Sequence, residues 1–392
     1  MGKAIRLQPK PQHQVELLRN GAEFFPALLA ACDAAQIEIH LETYLFEPDE
    51  VGLAVAQALM RAAQRGVRVS VLIDGFGARD FPVQLKEDLL QSGVRLLFFR
   101  PEIRRFSLNR SRLRRMHRKL SCFDGQLALV GGINILSDDD GPGLAPRYDY
   151  AVRIVGPVVA DVREAMCREW RHTAWSQLKK AWAKREHLHT RAKYSDGVLA
   201  QLVVRDNTRN RRAIEQCYLD LIDQAQSEIV IANAYFLPGL RLRQALLRAA
   251  LRGVAVVLLL QDERDHALLQ YASWAFYRPL LRAGVEIYQY RAGFMHAKVA
   301  IFDGEWATVG SSNIDPFSLL LAREANVFIR DRAFAGQLRQ DVQLHLVQDA
   351  RAILPQHVQQ AKLGLRLLVW LCFGLVRLIM GLSGYGGKKY LE

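Results

Sequence analysis

The chain has 392 residues, of which 50% are hydrophobic and 24% charged, a balance that excludes a disordered or fibrous chain and allows two cores. Lys and Arg outnumber Asp and Glu by 53 to 40, for a net charge of +13, so the partners expected are anionic, nucleic acid or a membrane surface. Five scattered cysteines with no Cys-x-x-Cys pair exclude a disulfide framework and a structural zinc site, and fit a reducing compartment.

The N-terminus lacks the apolar core of a signal peptide. Residues 1–14 are polar and are expected to be loose or an edge strand. Ala22–Ala35 has helical spacing, and I-E-I-H-L-E-T-Y alternates as a strand does. Val51–Arg65 reads as a helix ended by Gly66, V-R-V-S-V-L-I-D as a buried strand, Val83–Gln91 as a helix and G-V-R-L-L-F-F-R as a strand. The second half repeats the order. Arg211–Gln226 is helical behind an Asp206-Asn207 cap signal, E-I-V-I-A-N-A-Y is a strand and Arg241–Arg252 a helix. G-V-A-V-V-L-L-L-Q-D and G-V-E-I-Y-Q-Y-R then match the two later strands of the first half. Alternating strands and helices, repeated, predict two α/β units. The first runs over 1–195 and the second over 196–355, with a tail at 356–392.

The strongest repeat is H-R-K-L-S-C-F-D-G-Q-L-A-L-V-G-G-I-N, from His117 to Asn134, against H-A-K-V-A-I-F-D-G-E-W-A-T-V-G-S-S-N, from His296 to Asn313. Lys119, Asp124 and Asn134 follow His117 at offsets of 2, 7 and 17, as do Lys298, Asp303 and Asn313 after His296. On a strand, His117 and Lys119 share one face and Arg118 takes the other. Asp124-Gly125 and Asp303-Gly304 are hairpin-turn signals, so these aspartates are candidates for structure as well as for catalysis. Two half-sites of His, Lys and Asn supply what phosphoryl transfer needs: a neutral imidazole to attack, a protonated one to feed the leaving group, and cations and amides for the non-bridging oxygens. No carboxylate cluster is spaced for a metal, and no cofactor is expected.

The halves differ before the histidines. Residues 101–116 carry Arg104, Arg105, Arg110, Arg112, Arg114 and Arg115 against Glu102, whereas the matching connection is only 292–295. This insert is read as an anion-gripping loop. Trp170, Trp175 and Trp182 lie among basic residues in 164–194, read as a helix closing the first domain, with tryptophans either in the core or facing a membrane. The tail, Leu363–Leu382, holds ten apolar residues between Arg366 and Arg377. It reads as an interfacial helix with snorkelling arginines, the alternative being a helix packed on the domain.

The pattern H-x-K-x-x-x-x-D followed by G-G-x-N or G-S-x-N resembles the phospholipase D superfamily. M-H-R-K, D-Y-A-V-R-I-V-G-P, A-N-A-Y-F-L-P-G and A-T-V-G-S-S-N-I-D-P are similar to bacterial cardiolipin synthases without N-terminal transmembrane helices. The resemblance implies two pseudo-twofold-related α/β/α domains with the site between them. His117 would be the nucleophile and His296 the general acid, with Lys119, Lys298, Asp124 and Asp303 completing the motifs. Asn134, Asn313 and Ser311 would bind phosphate. Asp149 and Glu324 would each orient the imidazole of the histidine preceding it, 32 and 28 residues upstream. Gly132 stands where the wider superfamily has serine, and Ala322 and Phe317 where many synthases have asparagine and arginine, which bears on substrate preference. The function implied is transfer of a phosphatidyl group between two phosphatidylglycerols at the cytoplasmic face of a bacterial inner membrane. Hydrolysis, phosphatidylethanolamine or glycerol as co-substrate, a nuclease and a silent membrane scaffold are the alternatives; the apolar tail argues against the nuclease and the two intact motifs against the scaffold.

Overall fold

The computed structural model describes residues 7–101, 114–138, 145–183, 197–208, 210–262, 267–360 and 363–382. The first half contains strands β1 (Lys10–Arg19), β2 (Glu38–Thr43), β3 (Arg68–Asp74), β4 (Arg95–Phe99), β5 (Lys119–Phe123), β6 (Leu127–Gly131), β7 (Ala145–Tyr148) and β8 (Tyr150–Val155). Its helices are α1 (Asn20–Ala34), α2 (Glu50–Gln64), α3 (Val83–Gln91) and α4 (Val158–Ser176). The second half contains β9 (Val198–Arg205), β10 (Glu228–Asn233), β11 (Ala255–Gln261), β12 (Glu286–Tyr290), β13 (Gly293–Met295), β14 (Lys298–Phe302), β15 (Trp306–Gly310), β16 (Glu324–Arg330) and β17 (Ala350–Ala352). Helices α5 (Ala213–Gln224), α6 (Leu240–Leu251), α7 (Ala267–Trp274), α8 (Tyr277–Arg282), α9 (Pro316–Leu320), α10 (Arg332–Gln348), α11 (Pro355–Gln359) and α12 (Leu363–Leu382) accompany them.

All of these strands but β7 and β13, which pair with each other, form one continuous sheet, β17-β12-β11-β10-β14-β15-β16-β9-β1-β8-β6-β5-β2-β3-β4. Counted outward from the β9–β1 junction, both sides run through the same equivalents, so the pseudo-twofold axis passes there. β2, β3 and β4 are parallel, as are β10, β11 and β12, and the motif hairpins β5–β6 and β14–β15 join antiparallel. The near-continuous apolar runs of β3 and β11 suit parallel strands covered on both faces. Helices α1 and α2 cover one face of the first half, and α5, α6 and α8 the matching face of the second. A third cluster joins the other faces of both halves through α4 and α10.

β1 departs from expectation. It pairs with β8 on one side and β9 on the other, the centre of the sheet rather than an edge. Its polar residues hid this, but Leu17 and Leu18 are buried and His13 is held between Val198 O and Val158 N. Asp206 also differs: it caps a local turn, accepting from Thr208 N and Asn210 N, and α5 starts only at Ala213.

Asp124 and Asp303 adopt φ near 51° and 52° at the hairpin corners, followed by Gly125 and Gly304 also at positive φ, the geometry of a tight hairpin. Their carboxylates accept from the backbone N–H groups of Gln36, Ile37 and Glu38, and of Gln226, Ser227 and Glu228. Each aspartate thus fastens its hairpin to the turn before the neighbouring parallel strand.

Trp170 is buried and stacks on Trp182, its indole N–H on Trp182 O, whereas Trp175 is exposed. Of the basic insert, Arg114 and Arg115 are described; Arg104, Arg105, Arg110 and Arg112 lie outside the described residues, as does most of the stretch around the expected boundary. α12 packs on the domain along one stripe and leaves an apolar stripe exposed. Val369, Phe373, Val376 and Met380, one helical stripe, are buried against the second half, while Leu367, Trp370, Leu371, Leu375 and Leu378 are exposed. It is long and apolar enough to cross a membrane by length and composition.

Arg205, at the end of β9, is 1% exposed. It donates to the carbonyls of Leu320 and Ala322 and to Asn207 Oδ1, holding the chain just before Glu324. Arg205→Met removes charge-assisted bonds from buried carbonyls and is expected to cost roughly 3 kcal/mol of unfolding free energy. Urea denaturation tests this; a loss under about 1 kcal/mol contradicts it.

Candidate active site

His117 and His296 stand just before β5 and β14. The N–H of His117 donates to Arg323 O at 2.9 Å, and that of His296 to Tyr148 O at 2.8 Å. Arg323 and Tyr148 are the residues immediately before Glu324 and Asp149. Each histidine is therefore laid, as a short parallel pairing, beside the strand that delivers the other half's acid: Met116 bridges Arg323, and β13 pairs with β7. His117 Nδ1 lies 3.0 and 3.2 Å from the Glu324 carboxylate oxygens, and His296 Nδ1 lies 2.7 Å from Asp149 Oδ2. The expectation that each acid orients the histidine upstream of it is corrected: the pairs cross between halves. The ring centroids are 6.5 Å apart, inclined at 71°. With both Nδ1 atoms engaged, the Nε2 atoms are left for chemistry.

Lys119 and Lys298 are buried, and their ammonium groups donate to the carbonyls of His117 and His296. Lys298 Nζ is also 3.7 Å from Asp149 Oδ2. Burial, then Lys298 against the pull of Glu324, lowers Lys119 to about 7. Burial also lowers His117, and it lowers His296 far more, with Lys298 and Lys119 adding to the effect. Burial raises Asp149 to about 6 despite Lys298. The common cause is removal from water, which disfavours the charged form of imidazole, ammonium and carboxyl alike.

Asn134 and Asn313, past the ends of β6 and β15, are both buried. Asn134 Oδ1 accepts from Leu45 N, which turns its amide nitrogen away from that bond, whereas Asn313 Oδ1 is buried without a hydrogen-bond partner among the described residues. Ser311 is not available as a phosphate ligand as expected: its hydroxyl donates to Glu324 Oε2 at 2.5 Å and steadies the acid. Gly132 occupies the matching place in the first half, where a Cβ would stand 2.3 Å from Asp149 Oδ1, so a serine there cannot coexist with Asp149 as placed. Asp124 and Asp303 are not brought to the imidazoles. They close the far ends of the strands, roughly 20 Å along at a strand's rise, and their bonds are those of the hairpins. Arg118 faces away and pairs with Glu42 and Glu169, as the alternation of the strand requires.

Residues that the sequence did not single out complete the surroundings. The Tyr44 ring is 5.1 Å from His117 and lies under Lys119 Nζ at 5.4 Å, and Phe294 stacks beside His296 at 6.1 Å. Asp74 Oδ2 accepts from Met116 N at 2.8 Å. Tyr44 and Asp74 sit at the carboxyl ends of parallel strands, where α/β sites form, and that position was the available signal.

Two His–Lys half-sites with buried lysines, crossed on one pseudo-symmetric sheet, define a phospholipase D-type site. The phosphatidylserine synthase structure from Haemophilus influenzae Rd KW20 superposes with a TM-score of 0.71 over 95% of both chains at 17% identity, which shows the same fold. The family model for the cardiolipin synthase, phospholipase D-like domain matches residues 28–170 and 218–345. Cardiolipin synthase B of Salmonella typhi is 41% identical over 87% of this chain and 82% of its own, and that of Escherichia coli K12 38% over the same shares. The chain belongs to the cardiolipin synthase family.

Crossed pairing has a direct test in histidine nitrogen titrations by NMR. Glu324→Gln removes an anion that favours imidazolium and is expected to lower the pKa of His117 further while moving His296 little; Asp149→Asn should do the reverse. A shift of the same-half histidine alone contradicts the crossing. Anion binding gives a second test. Sulfate, fully ionised across the range, must draw a proton onto a site where Lys119 titrates near 7. Its affinity should therefore fall as pH rises through 7, by up to about tenfold per unit for each proton taken up, and Lys119→Met should flatten the slope. Calorimetry reads both.

Proposed function

We propose that this protein is a phosphatidyltransferase that joins two phosphatidylglycerols into cardiolipin and releases glycerol, without a cofactor. The observation that carries the reading is the facing pair of imidazoles, each tied through Nδ1 to a carboxylate, in a chain whose relatives over 87% of its length are cardiolipin synthases. His117 Nε2 attacks phosphorus of the first lipid, the bond from phosphorus to the glycerol headgroup breaks, and imidazolium His296 gives its proton to the departing oxygen. Neutral His296 then takes the proton from a headgroup hydroxyl of the second lipid. That oxygen attacks the phosphatidyl-histidine, and the P–N bond to His117 breaks. Lys119, Lys298 and the amides of Asn134 and Asn313 hold the non-bridging oxygens as charge gathers. The lipid phosphate supplies the negative charge that the free site lacks, and its arrival reprotonates His296, which shares a proton with Asp149.

The lipid-facing element of this reading is α12. Its exposed stripe lies in the interface of an anionic leaflet, on the cytoplasmic side of a bacterial inner membrane, with Arg366 and Arg377 reaching headgroups and the net charge of +13 adding attraction. The partners are phosphatidylglycerol and other anionic phospholipids.

The test is product analysis with phosphatidylglycerol vesicles in the presence of a chelator. Cardiolipin and glycerol in equal amounts are expected, with His117→Ala and His296→Ala each reducing the rate by roughly a thousandfold or more. Phosphatidic acid as the sole product makes the enzyme a hydrolase and sinks the synthase reading. Leu367→Ser with Leu371→Ser leaves the docked stripe intact and should weaken vesicle sedimentation at least about tenfold, from the apolar burial lost.

A further inference from the structure

The pseudo-symmetry makes one difference between the half-sites stand out. In the first half Asp74, the last residue of β3, accepts from Met116 N with Oδ2, and its Oδ1 is taken up by Phe76 N at 2.8 Å and by Arg115 at 3.6 Å. The matching last residue of β11 is Gln261, whose Oε1 accepts from Met295 N at 3.1 Å. Because that N–H fixes the amide's orientation, Nε2 points the other way. Gln261 is 4% exposed and its Nε2 has no partner among the described residues. Gln270 donates its Nε2 to the carbonyls of Gln261 and Asp262 at 3.3 and 2.5 Å, which leaves its buried Oε1 without a partner as well.

Both glutamines line one small cleft, walled by Ala234, Phe236, Leu269 and Tyr277. The cleft abuts the second motif on both sides of its histidine: Gln261 holds Met295, and Ala234 N donates to Ala297 O. Ala234 stands where the first half places Tyr44, since Phe46 and Phe236 make equivalent bridges to Ile135 and Ile314. The first half therefore fills this position with the Tyr44 ring against its histidine, whereas in the second half Ala234 lines the cleft and the ring beside His296 comes from Phe294.

We propose that this cleft is the alcohol subsite, holding a hydroxyl of the glycerol headgroup between Gln261 Nε2 and Gln270 Oε1 while the neighbouring hydroxyl faces phosphorus. A hydroxyl both donates and accepts, which is what an unspent N–H and an unspent carbonyl in an apolar cleft ask for. The same place serves the glycerol that leaves and the headgroup that attacks, since the two half-reactions mirror each other. A site built to bond a hydroxyl discriminates against an alcohol lacking it, because its polar groups are then buried unpaired. This rests on the transfer reading above and names its acceptor specificity.

The experiment uses the full chain with detergent-dispersed phosphatidylglycerol and an equimolar mixture of propane-1,2-diol and propan-1-ol, reading the ratio of the two phosphatidyl alcohols. The native protein is expected to favour the diol. Gln261→Glu keeps an acceptor for Met295 N but loses the donor, and Gln270→Met loses the acceptor; each should lower the diol-to-propanol ratio about tenfold. A ratio unchanged in both variants, even with slower turnover, means the glutamines only support the fold and overturns the subsite. No diol preference in the native protein, as for a cleft that holds only water, also overturns it. Cardiolipin without either phosphatidyl alcohol overturns the subsite, whereas no cardiolipin and no phosphatidyl alcohol means the transfer reading itself fails.

Discussion

The bond from each histidine's backbone N–H to the carbonyl preceding the other half's acid is the constraint on which the site depends. It sets the imidazole beside a carboxylate that its own half does not supply, and it does so at two places related by the pseudo-twofold axis. A carboxylate displaced by an ångström no longer holds Nδ1, and Nε2 then loses its aim. The sheet makes such placement repeatable, because β1 and β9 pair directly at the axis and every strand outward is registered from that junction.

The electrostatics follow from the same enclosure. Two lysines and two imidazoles share a buried space with two carboxylates, so fully protonated groups would leave the site strongly positive where water cannot screen them. The protein answers by lowering the proton affinity of Lys119 and both histidines. A phosphodiester entering this space is an anion meeting unsatisfied cation capacity. Under the proposed transfer mechanism, recognition and activation are then one event: the charge that binds is the charge that restores the acid.

Much of this was legible in the chain. The duplicated spacing named His117, Lys119, His296 and Lys298, and the alternation of the strand already sent Arg118 to the opposite face. Asp149 and Glu324 were found, but their partners were not, because linear order suggests that a residue serves its own repeat, whereas a twofold axis exchanges neighbours. β1 was misread because a polar strand can sit centrally when its side chains meet helices and ion pairs rather than a wholly apolar layer. Ser311 and the motif aspartates share a motif with phosphate ligands, yet their bonds go to Glu324 and to hairpin backbones; spacing alone does not separate the two roles. Gln261 was invisible for a different reason: its meaning lies in the contrast with Asp74, which only superposed strands disclose.

The crossed pairs also govern when activity can appear during synthesis. His117 waits for an acid 207 residues further along, and His296 for one made 147 residues earlier. A chain leaving the ribosome can complete its first hairpin and parallel strands, yet has no working site until Glu324 has emerged and β16 has closed on β9. A chain ended before that point leaves His117 without the carboxylate that holds its Nδ1.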